Sequence, residues 1–458
     1  MLNLKPLCTV IFCAFIIAFS PGTSMSGGPS KPKIVLNLQE CIKKAVEISP
    51  EIGETRYEED VYKAKKMQAD SALYPQIEML AVSGPSPKAR REQLNPIDTT
   101  SKTSIGGIFG SAEATLIQPL YTFGKISSYR EAAASGIKVA KAGVERKTSE
   151  IALRTKELYF GLLLARDLKK LILEIKDGIV SAIEKAEKQI ATGSPAADEL
   201  NLFKLNAFYG EVQRNLNEAE KGIALAKDAL ATSMGLPLDA DFDIADASLT
   251  PQDRTADEVS RYIQFSRELR PEFLQIREGL IAKNALVNVE KSNLYPMVFA
   301  GMKGAVSAAS NRDRINNPYI DDYFNHSYGG AFMGLKWAVD FGITKGRIQE
   351  SLAEYHKIAE KKRFADEAIP FQVRKSYLDF EEARKNIIET EKGYTNAKKW
   401  LVAAMANLDL GIGDAKDMAD AALAYAMLKA NNLKSMYNHR IAYANLLYAS
   451  GLDLKELK

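Results

Sequence analysis

Two stretches of the sequence, SALYPQIEML at residues 71–80 and SNLYPMVFAG at residues 292–301, contain the same Leu-Tyr-Pro tripeptide. Each follows a long charged segment with helical character and opens a short apolar segment. Proline disfavours helical backbone in the residue before it, so each pair, Tyr74-Pro75 and Tyr295-Pro296, predicts the end of a helix and the start of a strand. The chain therefore contains one helix-to-strand junction twice.

The sequence around the two junctions is also repeated. Residues 49–75 align with residues 270–296 without a gap. Farther along, LYTFGKI (120–126) resembles VDFGITKGRI (339–348), and LATSMGL (230–236) resembles LLYASGL (446–452). Similar segments in the same order predict two copies of one structural unit. We assign a first repeat to 38–236, an inter-repeat linker to 237–256, a second repeat to 257–452 and a short tail to 453–458.

The composition is that of a folded protein, with 46% hydrophobic and 26% charged residues. It is too polar for a helical membrane protein, and the near-balanced net charge of +3 gives no indication of nucleic-acid binding. The apolar run from Cys8 to Phe19 is too short to span a bilayer, and small residues follow it. This pattern predicts a cleaved secretory signal at residues 1–24. Cys41 is the one cysteine outside that signal, so we expect no internal disulfide.

Each repeat is expected to contain a helix, a strand, a polar loop, a second strand, a very long helix, a turn and a returning helix. Apolar residues recur every seven positions from Ile137 to Ala186 and from Val373 to Leu408, which predicts left-handed supercoiling. At 1.5 Å per residue, each long helix spans about 100 Å. An isolated coiled coil would explain the heptads but not the strands. The predicted helices are 38–73, 125–192, 257–294 and 345–410, the strands 76–82, 113–123, 298–306 and 331–340, and the loops 83–107 and 307–327.

Glycine-rich turns end both long helices. In the first turn, Gly193 suits a left-handed C-cap, Ser194 the next N-cap and Pro195 the first helical position. Each long helix is therefore expected to fold back into a shorter one. In the second turn, the same roles are expected for Gly411, Gly413 and Asp414.

The strands alternate between apolar and polar residues, as a transmembrane barrel requires. A half-buried soluble sheet shows the same alternation. Four strands form an open sheet, however, and unpaired strand edges are too costly in lipid, so in a membrane several chains would have to share one barrel. Under that reading, the lipid-facing positions are Ile77, Met79, Met333, Leu335 and Trp337.

Taken together, the duplicated Leu-Tyr-Pro junction, LYTFG, VDFG, the glycine-ended hairpins and the closing SGL resemble the outer-membrane efflux (TolC) family. The resemblance implies a mainly α fold with a small β part, in which duplicated long helical hairpins form a trimeric α-barrel tunnel. The tunnel joins a shared 12-stranded transmembrane β-barrel with four strands from each chain. It further implies a homotrimer in outer-membrane lipid, extending into the periplasm, with a periplasmic adaptor and an inner-membrane transporter as partners.

No pattern for catalysis competes with this interpretation. The histidines His326, His356 and His439 are far apart and lack metal-ligand spacing, and we find neither a phosphate-binding loop nor a serine nucleophile elbow. We therefore expect no enzyme activity, cofactor or metal. The expected function is a passive exit duct of a tripartite efflux or type I secretion system, powered by an inner-membrane partner. The alternative class is a periplasmic coiled-coil adaptor or scaffold without a pore.

Asp417 and Asp420 lie three residues apart at the start of a helix, so their carboxylates share one face. The resemblance implies that this stretch closes the periplasmic mouth with rings of carboxylates, with Asp198 at the corresponding place in the first repeat. Acids near a helix start would also simply complement the helix dipole. Gly413 stands where the best-known family member has a latching arginine, so the resemblance supplies no closed-state latch here.

Overall fold

The computed structural model describes residues 34–88, 105–193, 199–238, 240–251, 254–314, 319, 322–410 and 412–457. The signal peptide expected at residues 1–24 lies outside these ranges.

The two repeats have the same succession of elements. A short strand, β1 (Ile34–Leu36), comes before the first repeat. The first repeat then contains α1 (Leu38–Ile48), α2 (Pro50–Ser71), β2 (Gln76–Pro87), β3 (Ile105–Tyr121), α3 (Lys125–Ala191) and α4 (Glu199–Ser233). The remaining elements are β4 (Phe242–Ile244), α5 (Val259–Leu269), α6 (Pro271–Ser292), β5 (Met297–Ala309), β6 (Ser327–Lys336), α7 (Ile343–Asp409), α8 (Ala415–Ser450) and α9 (Asp453–Leu457).

Each starting helix, predicted as one helix over 38–73 or 257–294, is divided in two by a proline. Pro50 begins α2 and Pro271 begins α6, the position where proline's missing N–H costs nothing. The Ser49 hydroxyl accepts a hydrogen bond from the Ile52 amide at 3.4 Å and so caps α2. The single starting helix is thus a wrong prediction in both repeats, and for the same reason.

Four strands form one antiparallel sheet in the order β2-β3-β5-β6. The hairpin of the first repeat joins that of the second through β3 and β5, where Leu116 pairs with Met302. The strands extend beyond the predicted limits, so the loop predicted at 83–107 is too long. Ser86, which was expected in that loop, is fully buried in β2 and pairs with Gly107. At the other end, β6 stops at Lys336, so Trp337 lies beyond the sheet.

Below the sheet, α2, α3, α6 and α7 lie side by side and antiparallel. Ion pairs connect each neighbouring pair of helices: Asp70 with Arg130 at 2.6 Å, Glu278 with Lys138 at 3.2 Å and Glu354 with Lys283 at 3.2 Å. The result is a wall one helix thick. Such a wall leaves most helices exposed on two faces, as expected for part of a larger assembly.

The most compact part of the molecule lies midway along the long helices. Here β1 pairs in parallel with β4, and Leu36, Tyr159 and Phe242 are buried in one apolar cluster. The Tyr159 hydroxyl donates a hydrogen bond to Asp246 at 2.9 Å, which satisfies the one polar atom of a buried ring. Residues 240–251, which were assigned to the inter-repeat linker, therefore contribute to the core.

Candidate functional site

The two Leu-Tyr-Pro junctions have the same backbone geometry. In the first repeat, the amide of Tyr74 donates to the carbonyl of Ser71 at 3.0 Å. In the second, the amide of Tyr295 donates to the carbonyl of Ser292 at 3.1 Å. Each tyrosine closes the last helical turn, and the proline that follows, Pro75 or Pro296, starts the extended chain. The junction predicted from the sequence is confirmed in both repeats.

On the returning side of the sheet, the chain enters each long helix through the FG dipeptide of LYTFG or VDFG. Phe123 and Gly124 have positive φ angles of 49° and 85°, which turn the chain sharply into α3. The ring of Phe123 stacks on Tyr295, with centroids 4.9 Å apart. An aromatic contact thus joins the junctions of the two repeats.

Asp340 performs the corresponding task at the start of α7. Its carboxylate accepts hydrogen bonds from the amides of Gly342 and Thr344, at 3.1 and 2.9 Å, and from the Thr344 hydroxyl at 2.6 Å. The Thr344 hydroxyl and the backbone amides hold the pKa of Asp340 down to about 2. The charged side chain therefore caps the positive end of a 67-residue helix at any physiological pH.

The turn that ends α3 has the predicted left-handed glycine. Gly193 has a φ of +65°, and its amide donates to the carbonyl of Ile190 at 3.1 Å. Ser194, Pro195 and Asp198 lie outside the described residues, and so does Gly411 in the second turn.

The φ angle of Gly413 is not positive, and the left-handed C-cap expected at Gly411 lies outside the described residues. The amide of Gly413 donates to the carbonyl of Asn407 at 3.1 Å, which brings the turn back against the last turn of α7. A Cβ atom at this position would lie 2.9 Å from the backbone nitrogen of Leu408, closer than real side chains approach. Glycine is therefore required at position 413 by close packing. The same contact excludes an arginine at this position in this backbone conformation.

Two lysines of the first hairpin bind acids at the turn of the second. Lys185 on α3 contacts Asp409 at 2.7 Å, and Lys204 on α4 contacts Asp414 at 3.2 Å. Asp414 also caps α8, as predicted, by accepting from the amide of Lys416 at 3.1 Å. That hydrogen bond and the Lys204 ammonium both lower the pKa of Asp414. Asp409 and Asp414 are thus neutralised within the chain.

Asp417 and Asp420 are placed differently. Both side chains are exposed at the start of α8, and neither makes an ion pair with any residue that the structure describes. Next to them on α8, Met418 and Ala421 are buried against Leu205. This packing fixes the rotation of the helix, so the two carboxylates face away from their own chain.

The cross-strand register separates the two faces of the sheet. The pairs Ile77–Leu116, Leu116–Met302 and Met302–Ala331 place one apolar row on a single face. By alternation along the strands, that face includes Met79, Met333 and Leu335, all exposed in the single chain. The other face holds Glu78 and the ion pair between Glu113 and Lys303, at 2.7 Å. Four of the five positions predicted to face lipid therefore share one apolar surface.

Other chemistry has little support in the described part of the chain. No group of three or more His, Cys, Asp or Glu side chains there is arranged to hold a metal ion. No helix among the described residues is both long and apolar enough to cross a membrane. Cys41 is fully buried, and burial raises the pKa of its thiol to about 11, so it is unreactive at neutral pH.

Comparison with known sequences matches the first repeat to a protein family. Residues 41–236 match the family model described as "Outer membrane efflux protein". No curated protein matches the chain by sequence. For the first repeat, this match confirms the family indicated by the Leu-Tyr-Pro and FG motifs.

Several solved structures share the fold at low sequence identity. The CmeC outer membrane channel of Campylobacter jejuni has a TM-score of 0.74 and 14% identity, over 99% of this chain and 97% of that one. The outer membrane protein VceC of Vibrio cholerae has a TM-score of 0.73 and 17% identity, over 90% and 96%. The open state of the Neisseria gonorrhoeae MtrE outer membrane channel has a TM-score of 0.70 and 16% identity, over 91% and 89%. These likenesses confirm a mainly helical fold with a small sheet.

Proposed function

We propose that this chain, a member of the outer membrane efflux protein family by its residues 41–236, is the exit duct of a tripartite efflux or type I secretion system. The observation that carries the proposal is the sheet. Its one apolar face is exposed, both of its edges are open, and its strands are joined twice to hairpins far longer than a compact domain can hold. A membrane-embedded sheet of this kind needs further strands to close it.

A homotrimer would supply those strands. The sheet edges, β2 and β6, run in opposite directions because each successive pair is antiparallel. Three copies can therefore continue the same antiparallel pattern into a barrel of twelve strands. In that barrel the apolar face, with Ile77, Met79, Met333 and Leu335, contacts outer-membrane lipid, and Trp337 lies at the membrane boundary. The face with Glu113 and Lys303 lines the channel.

The helices extend from the barrel into the periplasm and carry the turns at their far end. Gly193, Ser194, Pro195, Gly411 and Gly413 form the hairpin tips that contact a periplasmic adaptor. Asp417 and Asp420 face the three-fold axis at the mouth and make it selective for cations. The chain acts as a passive conduit, and an inner-membrane transporter supplies the energy.

Single-channel recording tests this function directly. We expect the purified protein to form detergent-stable trimers that conduct KCl when inserted into planar bilayers, because closure of the barrel leaves a water-filled pore. Heat-dissociated monomer serves as the control and is expected to show no conductance. A soluble protein without conductance would instead support the adaptor or scaffold.

The orientation can be tested by surface labelling. We expect a membrane-impermeant biotin maleimide to label Tyr319→Cys on intact cells, since Tyr319 lies beyond the sheet end opposite the helices and is 94% exposed. Ser86→Cys, at a buried strand position, should remain unlabelled. Thr192→Cys, at the exposed hairpin tip, should react only after the outer membrane is permeabilised. The unmodified protein controls for Cys41, and labelling of Thr192→Cys alone on intact cells would reverse the topology.

A further inference from the structure

A large groove crosses the wall of α2, α3, α6 and α7 just below the sheet. Its volume is about 820 Å³, within the range of small-molecule sites. On α2 the groove extends from Ala72, three residues before Pro75, to Tyr62, which lies about 20 Å from the junction. All four neighbouring helices contribute side chains to this one groove.

The groove exists because its floor is made of small residues. Ala132, Ala133 and Gly136 on α3 line it together with Gly279 and Ala282 on α6. The ring of Tyr62 lies directly over Gly136, where a Cβ atom would come within 2.4 Å of it. The rings of Tyr62 and Tyr129, with Ile126 and Leu286, then form apolar sides around the floor.

The charged side chains among the described residues that line the groove are all lysines. Lys65, Lys283 and Lys361 lie at its edge, and no Asp or Glu is among the described residues that line it. Lys283 is paired with Glu354, and the Lys65 ammonium lies 4.7 Å from the centre of the Tyr62 ring. Lys361 is exposed and makes no ion pair with any described residue. An apolar surface bordered by ammonium groups complements a molecule with an apolar body and an anionic head.

We propose that this groove is a binding site on the tunnel wall for amphipathic anions, which the channel carries as cargo. The inference rests on the proposed function, because a site on the inner wall meets cargo only if the chain lines a conduit. The acidic turn at the mouth does not oppose it. The two regions lie at opposite ends of α3, about 80 Å apart, whereas charges in physiological salt are screened beyond about 8 Å.

Two dyes with the same ring skeleton test the proposal. 1-Anilinonaphthalene-8-sulfonate carries an anionic sulfonate, and N-phenyl-1-naphthylamine has none. We expect the trimer in lipid nanodiscs to bind the sulfonate more tightly than the uncharged dye, after subtraction of empty nanodiscs. Lys361→Glu should weaken sulfonate binding at least about tenfold, since it reverses a charge within a few ångströms of the anion, and leave the uncharged dye unaffected. Lys399→Glu, a matched exposed lysine elsewhere on α7, should change neither dye.

A second variant tests the cavity itself. Ala282→Phe fills the floor of the groove and should weaken the binding of both dyes. Conductance in KCl is measured for every variant. A trimer that conducts but binds the sulfonate no better than empty nanodiscs, or equally well after Lys361→Glu, overturns the binding site alone. A trimer that does not conduct overturns the proposed function.

Discussion

Replacing Gly413 with leucine is expected to stop export while the trimer still assembles. A Cβ atom here would lie 2.9 Å from the backbone nitrogen of Leu408, so the turn between α7 and α8 must open. Overpacking of this kind costs about 1–3 kcal/mol. If the adaptor recognises the native turn, its docking equilibrium falls by roughly 5- to 150-fold. The measurement is drug resistance in a strain whose own outer-membrane channel is deleted, supplied with the cognate adaptor and transporter.

Gly210→Leu is the matched control for this variant. Gly210 is exposed on α4, and a Cβ atom there would meet no atom within 4 Å, so the same substitution should leave export intact. Trimer yield and KCl conductance should match the unmodified protein in both variants. Full export by Gly413→Leu, with unchanged cross-linking to the adaptor, would show that the adaptor docks elsewhere, for instance along the tunnel wall.

Removing Asp417 and Asp420 together is expected to abolish block of the channel by multivalent cations. Both carboxylates are exposed in the single chain while Met418 and Ala421 are buried, and in the proposed trimer the two acids would lie near the three-fold axis. Two unit charges 4 Å apart interact by about 4 kcal/mol at an effective dielectric near 20, so a ring of such acids binds a multivalent cation strongly. In the double alanine variant, we expect the concentration of hexaamminecobalt(III) that halves the current to rise at least about tenfold.

The acids at the same turn that form ion pairs with lysines provide the control. Asp409→Ala removes a carboxylate that Lys185 already neutralises at 2.7 Å, so block should persist. Cation selectivity, read from the reversal potential in a KCl gradient, should weaken only in the double variant. Block that survives in that variant would make Asp417 and Asp420 helix-start residues that complement the dipole of α8. Asp198 would then be the next candidate for the constriction.

Features that depend on local backbone preference could be predicted from the sequence. Tyr74-Pro75 and Tyr295-Pro296 end their helices because proline restricts the residue before it, whatever surrounds them. Gly193 takes a positive φ because its sequence neighbours require a turn there. The length of α3 followed from the seven-residue repeat and the absence of proline between the FG motif and the turn. In α7 the repeat begins only at Val373, and the helix continues through Pro370. Pro50 and Pro271 could have indicated that each starting helix is divided in two. The sequence on both sides of each proline is typical of a helix, however, so one continuous helix was predicted.

Features that depend on distant contacts could not be predicted. Ser86 lies among prolines and looks like a loop residue, yet it is buried because Gly107 leaves room for its side chain: a Cβ atom on Gly107 would lie 2.6 Å from the Ser86 hydroxyl. Gly413 has to be glycine because its Cβ position is occupied by the backbone of Leu408, and not because it needs a positive φ angle. The strands β1 and β4 have three residues each, too few for any alternation to show.

The parallel pairing of β1 with β4 also determines when this protein can finish folding. Ile34 pairs with Phe242, so the first described strand to be synthesised has to wait for a partner some two hundred residues later. Closing so long a loop adds little entropic cost, because that cost grows only with the logarithm of length, but it delays the step. Until then a strand edge stays unpaired, and the apolar side chain of Leu36 stays exposed. Folding of the first repeat is therefore completed only by a strand that lies beyond the repeat itself in the sequence.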